Sequence, residues 1–220
     1  MTQHRHGGLI VPYISSWSAE TACIPSVVRK FGNMGPFLAY ADETAYDRGQ
    51  HGALWVRQPL ARGKGHPLMD SVHALRQRQA MRHMLCQVCR TPAVEASPER
   101  QIFLLKAADG PLVDGTRTTA PPVCSSCAPL ATDSCPRLST GGHVAAWVER
   151  AEPWGVAGVL YDPETLRPVH DEGLVRVAHG SEEFRWVIAH REVVILHGCT
   201  AVDMNDLRRA NRRAAAERGG

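Results

Sequence analysis

Lysine is nearly missing from this 220-residue chain: of its 25 basic residues only Lys30, Lys64 and Lys106 are lysines, and the rest are arginines. Long apolar runs are missing too. Nothing approaches the ~20 residues that a membrane-spanning helix needs, so no membrane partner is expected. The start, Met1–Gly8, is polar and His-rich with no apolar segment after it, which predicts no signal peptide. The expected compartment is therefore the cytoplasm. A phosphate-binding glycine motif, HExxH and GxSxG are all absent, which removes the common signatures of nucleotide hydrolysis, zinc proteolysis and ester hydrolysis. The tryptophans Trp17, Trp55, Trp147, Trp154 and Trp186 are scattered, so no base-stacking platform is legible. There is no internal repeat.

What is present is an ordinary globular composition, 44% hydrophobic and 21% charged, long enough to bury a sizeable core. The net charge of +3 is too small to imply nucleic acid by itself, but it is unevenly spread. Residues 57–90 hold seven bases and one acid (Asp70), residues 91–175 eleven acids and six bases, and residues 204–220 five arginines and two acids. A basic centre and tail flank an acidic segment. Arginine presents a planar fork suited to phosphate and carboxylate, although a GC-rich genome enriches it as well.

The expected fold class is α+β, with small β-sheets around a zinc knuckle pair and a buried C-terminal helix. Residues 1–70 read as a β-rich segment, with Phe37–Ala41 and Ala53–Val56 as a hairpin. Residues 71–140 read as a zinc-binding module that begins with a helix capped by Asp70 or Ser71 and running to Leu85. Residues 141–203 read as an α+β segment. In it Val144–Val148 pairs with Val156–Tyr161, Leu174–Ala178 is a strand, and Ser181–His197 is the buried helix. Residues 204–220 form a helix-prone, Arg-rich tail, and residues 1–203 are expected to make one integrated body.

The strongest signal is Cys86-x2-Cys89 and, after thirty-four residues, Cys124-x2-Cys127. Each CxxC turn aims two thiolates at one point, and two such turns close a tetrahedral structural site for one Zn2+. Four thiolates leave no open position for a catalytic water. The expected order is a knuckle, then a hairpin of Gln101–Lys106 with Thr116–Ala120, then a knuckle opening a short helix that Pro136 stops. That is a treble-clef-like layout. Cys135, His83 and His143 are alternative ligands. Cys199 and His197, two residues apart, read as a buried thiol at a helix end rather than a nucleophile pair.

The segments Arg76–Cys89, Pro121–Ala128, Cys135-Pro136 and Gly142-His143-Val144 resemble an actinobacterial, Streptomyces-type family of four-cysteine zinc-binding proteins that has no established activity. The resemblance spans about Trp17 to Asp203 and implies a bacterial cytoplasmic protein with a metal site. The paired knuckles also resemble the zinc-bearing HNH nucleases. Those need a histidine base on the intervening hairpin, and no histidine lies between Cys89 and Cys124.

The arginines Arg76, Arg78, Arg82 and Arg90 sit on and just after the helix that enters the first knuckle, where they are placed to contact a phosphate backbone. The competing reading is a solvated face, or pairing with acids of the same chain. The leading expectation is a zinc-stabilised binding or regulatory protein with nucleic acid as partner. The alternatives are an enzyme using His143, His170 or His179 outside the zinc site, and a protein–protein adaptor.

Overall fold

The computed structural model describes residues 4–96, 99–170 and 172–217. In chain order, β1 (Arg5–His6) folds back on β2 (Leu9–Ile10), and β3 (Ser15–Trp17) follows. Next come β4 (Val27–Gly32), β5 (Gly35–Tyr40), β6 (Leu54–Trp55), β7 (Pro67–Val72) and helix α1 (Ala74–Arg82). Between the cysteine pairs lie β8 (Glu95–Ala96), β9 (Glu99–Lys106) and β10 (Arg117–Thr118). Helices α2 (Cys127–Ser134) and α3 (Pro136–Ser139) precede β11 (His143–Val148) and β12 (Arg150–Leu160). The chain continues through β13 (Val175–Ala178), β14 (Val187–His197), β15 (Thr200–Ala201) and α4 (Met204–Glu217).

Two sheets dominate this α+β body. One runs β13-β12-β14, with β10 and the parallel β6 sharing the far edge of β14. The other has the order β15-β11-β9-β8. A shared core joins them: Phe103, Ala146 and Val148 of the second sheet pack with Met81 of α1 and with Val194 and Leu196 of β14. The 204–217 helix matches the helix-prone tail, and Met204 and Leu207 bury one turn of it in the core around the cysteines.

The buried helix expected over Ser181–His197 is instead a 3-10 turn, Glu182–Trp186, followed by the eleven-residue strand β14. Val187, Ile188, Val193, Val194 and Ile195 are β-branched, which favours a pleated surface. A strand covered on both faces shows a near-continuous apolar run, which spacing alone does not separate from a buried helix. Its pairing with β12 is close enough to demand glycine. A Cβ on Gly158 would lie 2.2 Å from the Ile188 carbonyl oxygen, and on the opposite edge of β12 one on Gly155 would lie 2.0 Å from the Val177 carbonyl oxygen of β13.

The expected strand partnerships also change. Phe37–Ala41 does not pair with Ala53–Val56; β5 pairs with β4, and β6 joins β14. Strands β9 and β10 fall in different sheets, so the hairpin between the knuckles is the short β8–β9 pair. Nor does β11 pair with β12, because β9 and β15 take its two edges.

Helix α1 begins two or three residues later than expected and ends at Arg82 rather than Leu85. His73 is its N-cap: Nδ1 accepts from the Arg76 N–H at 3.4 Å, while Nε2 donates to the Pro59 carbonyl at 3.0 Å. These two bonds define one neutral tautomer, and burial lowers the His73 pKa in the same sense. Among the described residues, no helix is long and apolar enough to cross a membrane.

Candidate metal centre

Two backbone loops build the centre. In the first, the Cys86 N–H donates to the Thr91 carbonyl (2.7 Å), the Arg90 N–H donates to the Cys86 carbonyl (2.8 Å), and the Val88 N–H points at the Cys86 Sγ (3.4 Å). The turn requires a left-handed residue after its second cysteine, and Arg90 supplies it at φ +68°. In the second loop, the Cys127 and Ala128 N–H groups both donate to the Cys124 carbonyl at 3.0 Å and start α2. The Gln87 N–H donates to Pro122 at 2.9 Å and locks the loops together.

The ligand atoms of Cys86, Cys89, Cys124 and Cys127 all lie within 4.8 Å of one another, and the Cys89 and Cys124 sulfurs are 3.7 Å apart. A tetrahedral ZnS4 unit with Zn–S bonds of ~2.3 Å has edges of ~3.8 Å, so the residues fit one such ion. Each outer thiolate has a hydroxyl beside it: Thr91 Oγ1 is 2.9 Å from the Cys89 Sγ and Ser126 Oγ is 3.2 Å from the Cys124 Sγ. Such outer contacts orient metal ligands. The hydrogen bond shared with Cys124 pushes Cys86 up to about 12. Proton sharing with Cys127 and Cys86 holds Cys124 far below the usual thiol range, and Cys127 is raised in turn. Sulfurs this close cannot all be thiolates unless a cation lies among them.

The centre is buried by chain-distant parts. Cys86 and Cys127 pack with Val88, Ile102, Val123, Ala128, Met204 and Leu207. The Tyr13 N–H donates to the Val88 carbonyl at 3.0 Å, and Asn211 on α4 donates to the Ser125 carbonyl at 3.0 Å. The alternative ligands stand outside the cluster. His83 caps the C-terminus of α1, Cys135 separates α2 from α3, and His143 opens β11.

The four arginines separate. Arg76 is not a surface group: it is buried with Glu20, which accepts from both terminal nitrogens at 2.7 and 2.6 Å, and it also donates to the Ser15 carbonyl. Burial raises the Glu20 pKa, but the Arg76, Ala61 and Trp17 donors more than reverse that, so its net shift is downward. An arginine sealed against a carboxylate cannot reach phosphate, which corrects the expectation for Arg76. Arg82 is exposed but donates to Glu192 at 2.9 Å. Arg78 lies over the Trp55 ring at 4.4 Å. Arg90 lies over Tyr13 at 5.3 Å, and Arg62, which sequence reasoning passed over, lies over the same ring at 5.4 Å.

The tail arginines are partly engaged: Arg208 contacts Asp133 (2.5 Å) and Arg209 contacts Asp206. The histidines of the enzyme alternative stand apart. His143 opens β11, His170 is exposed, and His179 follows β13 and stacks on His51 at 4.2 Å. Cys199 follows a strand end rather than a helix end. Burial and Asp114 push its thiol up to about 11, the opposite of an activated nucleophile.

No protein-family model, curated protein or solved structure matches the chain. The class is therefore defined by its own features: a mixed α+β body with several small sheets and a four-cysteine cluster consistent with one metal ion.

Proposed function

We propose that this is a zinc-stabilised, nucleic-acid-binding protein in which Cys86, Cys89, Cys124 and Cys127 hold a structural Zn2+ and the face beside the first knuckle contacts phosphate. The order of knuckle, β8–β9 hairpin, knuckle and α2 supports a treble-clef-like reading of the centre. The resemblance to the actinobacterial four-cysteine family agrees with it and adds no activity.

The observation that carries the partner is Arg90. It occupies a left-handed position, which costs a non-glycine residue roughly 1 kcal/mol, and glycine would relieve that strain. The side chain is nevertheless a long cation, exposed beside the metal centre, and no carboxylate pairs with it among the described residues. Arg62 converges on the same tyrosine, and Lys64 and His66 extend the exposed basic loop. Retaining strain where glycine suffices points to a task for the charge.

The test is Arg90→Gly. The variant is expected to melt at or above the wild-type temperature while losing affinity for labelled oligonucleotides and part of the salt slope. Unchanged binding and slope would sink this reading.

The adaptor reading has one observation of its own. A groove of about 260 Å3 between β2, β7, the first knuckle and α2 is lined by Ile10, Met69, Val88, Leu130 and Ala131.

A further inference from the structure

Helix α1 carries a second arginine without a carboxylate. Arg78 is half-buried, with its guanidinium 4.4 Å from the Trp55 ring centre, and it makes no hydrogen bond or ion pair among the described residues. Its neighbours on the helix are committed, Arg76 to Glu20 and Arg82 to Glu192. A half-buried guanidinium with five N–H donors and no protein acceptor is free to offer them to an anion that enters the neighbouring space. Burial accordingly lowers the Arg78 pKa, with the Arg82 charge adding to the effect.

Arg78 lines a cavity of about 240 Å3 together with Tyr46, Asp47, Trp55, Arg57 and Gln58. Among the described residues the buried Trp55 indole N–H has no partner, whereas the other charged and amide groups of the wall are satisfied. Arg57 grips Asp47 through two bonds of 2.8 Å and reaches Asp42 at 2.9 Å. The Gln58 amide bonds Ser16, the Glu20 carbonyl and the Ala74 N–H. Among the described residues of the wall, the one uncommitted charge is therefore Arg78. At the rim stands Tyr46, 93% exposed, with its ring face uncovered. An unmatched cation on the wall and an open aromatic ring at the mouth call for a ligand that joins an anion to a flat ring.

We infer that this cavity is a nucleotide subsite, in which Arg78 takes the phosphate and Tyr46 stacks on the base. The inference rests on the nucleic-acid reading above and adds to it that the partner is single-stranded, because a base paired within a duplex cannot reach Tyr46.

The experiment measures the affinity of the zinc-loaded full chain for a labelled single-stranded 12-mer and for its duplex, beside a tryptophan-fluorescence titration with uridine monophosphate, uridine and inorganic phosphate. Single strand is expected to bind about tenfold tighter than duplex, in line with base–aromatic stacking. Arg78→Met and Tyr46→Ala should each remove about tenfold of single-strand affinity with an unchanged melting temperature, whereas Arg90→Gly weakens both forms alike. Uridine monophosphate should quench fluorescence in a saturable way that Arg78→Met abolishes, with uridine and phosphate each much weaker.

Single-strand affinity that is unchanged in Arg78→Met and Tyr46→Ala but falls in Arg90→Gly overturns the subsite and leaves the nucleic-acid reading standing. If neither oligonucleotide binds at low salt, the nucleic-acid reading falls. The nucleotide titration then decides the cavity alone: an Arg78-dependent quench supports it as a free-nucleotide site, and no quench overturns it.

Discussion

The Gln77 side chain acts as a missing piece of strand for Glu192. Its Nε2 donates to the Glu192 carbonyl at 2.9 Å, and its Oε1 accepts the Glu192 N–H at 2.9 Å. Along this edge of β14, β6 pairs at Ile188 and Ala189 and β10 pairs at Val194 and Ile195. The amide fills the gap between them and donates also to the Thr119 carbonyl at 2.7 Å. Gln77→Leu keeps the volume and strands the two buried backbone groups of Glu192 and the partly buried Thr119 carbonyl, so a loss of about 2–4 kcal/mol is expected in urea unfolding. Gln77→Glu should cost at least as much, since its carboxylate cannot donate. A loss within about 0.5 kcal/mol of zero for the Leu variant would contradict the bridging role.

The Glu20–Arg76 pair predicts asymmetric mutational costs. Removing either partner alone leaves a buried charge, and Glu20→Leu or Arg76→Met should each lose about 3–5 kcal/mol. The double variant should recover most of that, because the desolvation penalty disappears with both charges. Additive losses in a double-mutant cycle would show that the pair is not coupled.

For the metal centre, one zinc per chain is expected by mass spectrometry of untagged protein. Chelation or Cys124→Ser should release it together with the near-ultraviolet circular-dichroism signal, since metal affinity and folding are linked. Thr91→Val and Ser126→Ala remove the outer hydroxyls and should weaken zinc binding about tenfold without unfolding the chain. A protein that stays folded and metal-free would refute the structural role.

His190 sets an acid limit on stability. Burial lowers its pKa to about 4, with Arg191 adding to the shift, and its Nε2 has no partner among the described residues. The folded state therefore keeps His190 neutral where the unfolded chain, at about 6.5, protonates it. Stability is full above about pH 6.5 and falls as the pH drops towards 4, by up to about 3 kcal/mol from this group. His190→Phe should flatten that part of the urea-midpoint profile. Asp47 governs a lower window. Hydrogen bonds from Arg57 hold it at about 2, so its stabilisation is lost only as the pH falls below about 4 towards 2, and Asp47→Asn should remove that slope.

The cysteine cluster was legible because each CxxC turn is local and needs only its own four residues. The hydroxyl contacts share that locality: Thr91 and Ser126 each stand two residues past a cysteine. Partnership over distance was not legible. Glu20, which neutralises Arg76, lies 56 residues away, and Gln77 meets Glu192 across 115. A charge count over residues 57–90 therefore overstated the free arginine on α1. The β14 segment misled for a related reason, since its two-sided burial comes from elements on opposite sides of the sheet. Strands such as Val175–Ala178 and Glu99–Lys106 were readable from composition, but the edges they would join were not.

Strand β14 also carries a consequence for biosynthesis. β6, β10 and β12 all hydrogen-bond to it, yet all three emerge from the ribosome before it does. Until residue 197 clears the exit tunnel, those strands have open edges and the larger sheet has no centre. The helix that covers the cysteine cluster follows later still. The larger sheet therefore cannot close during synthesis until its central strand has followed the three that pair with it.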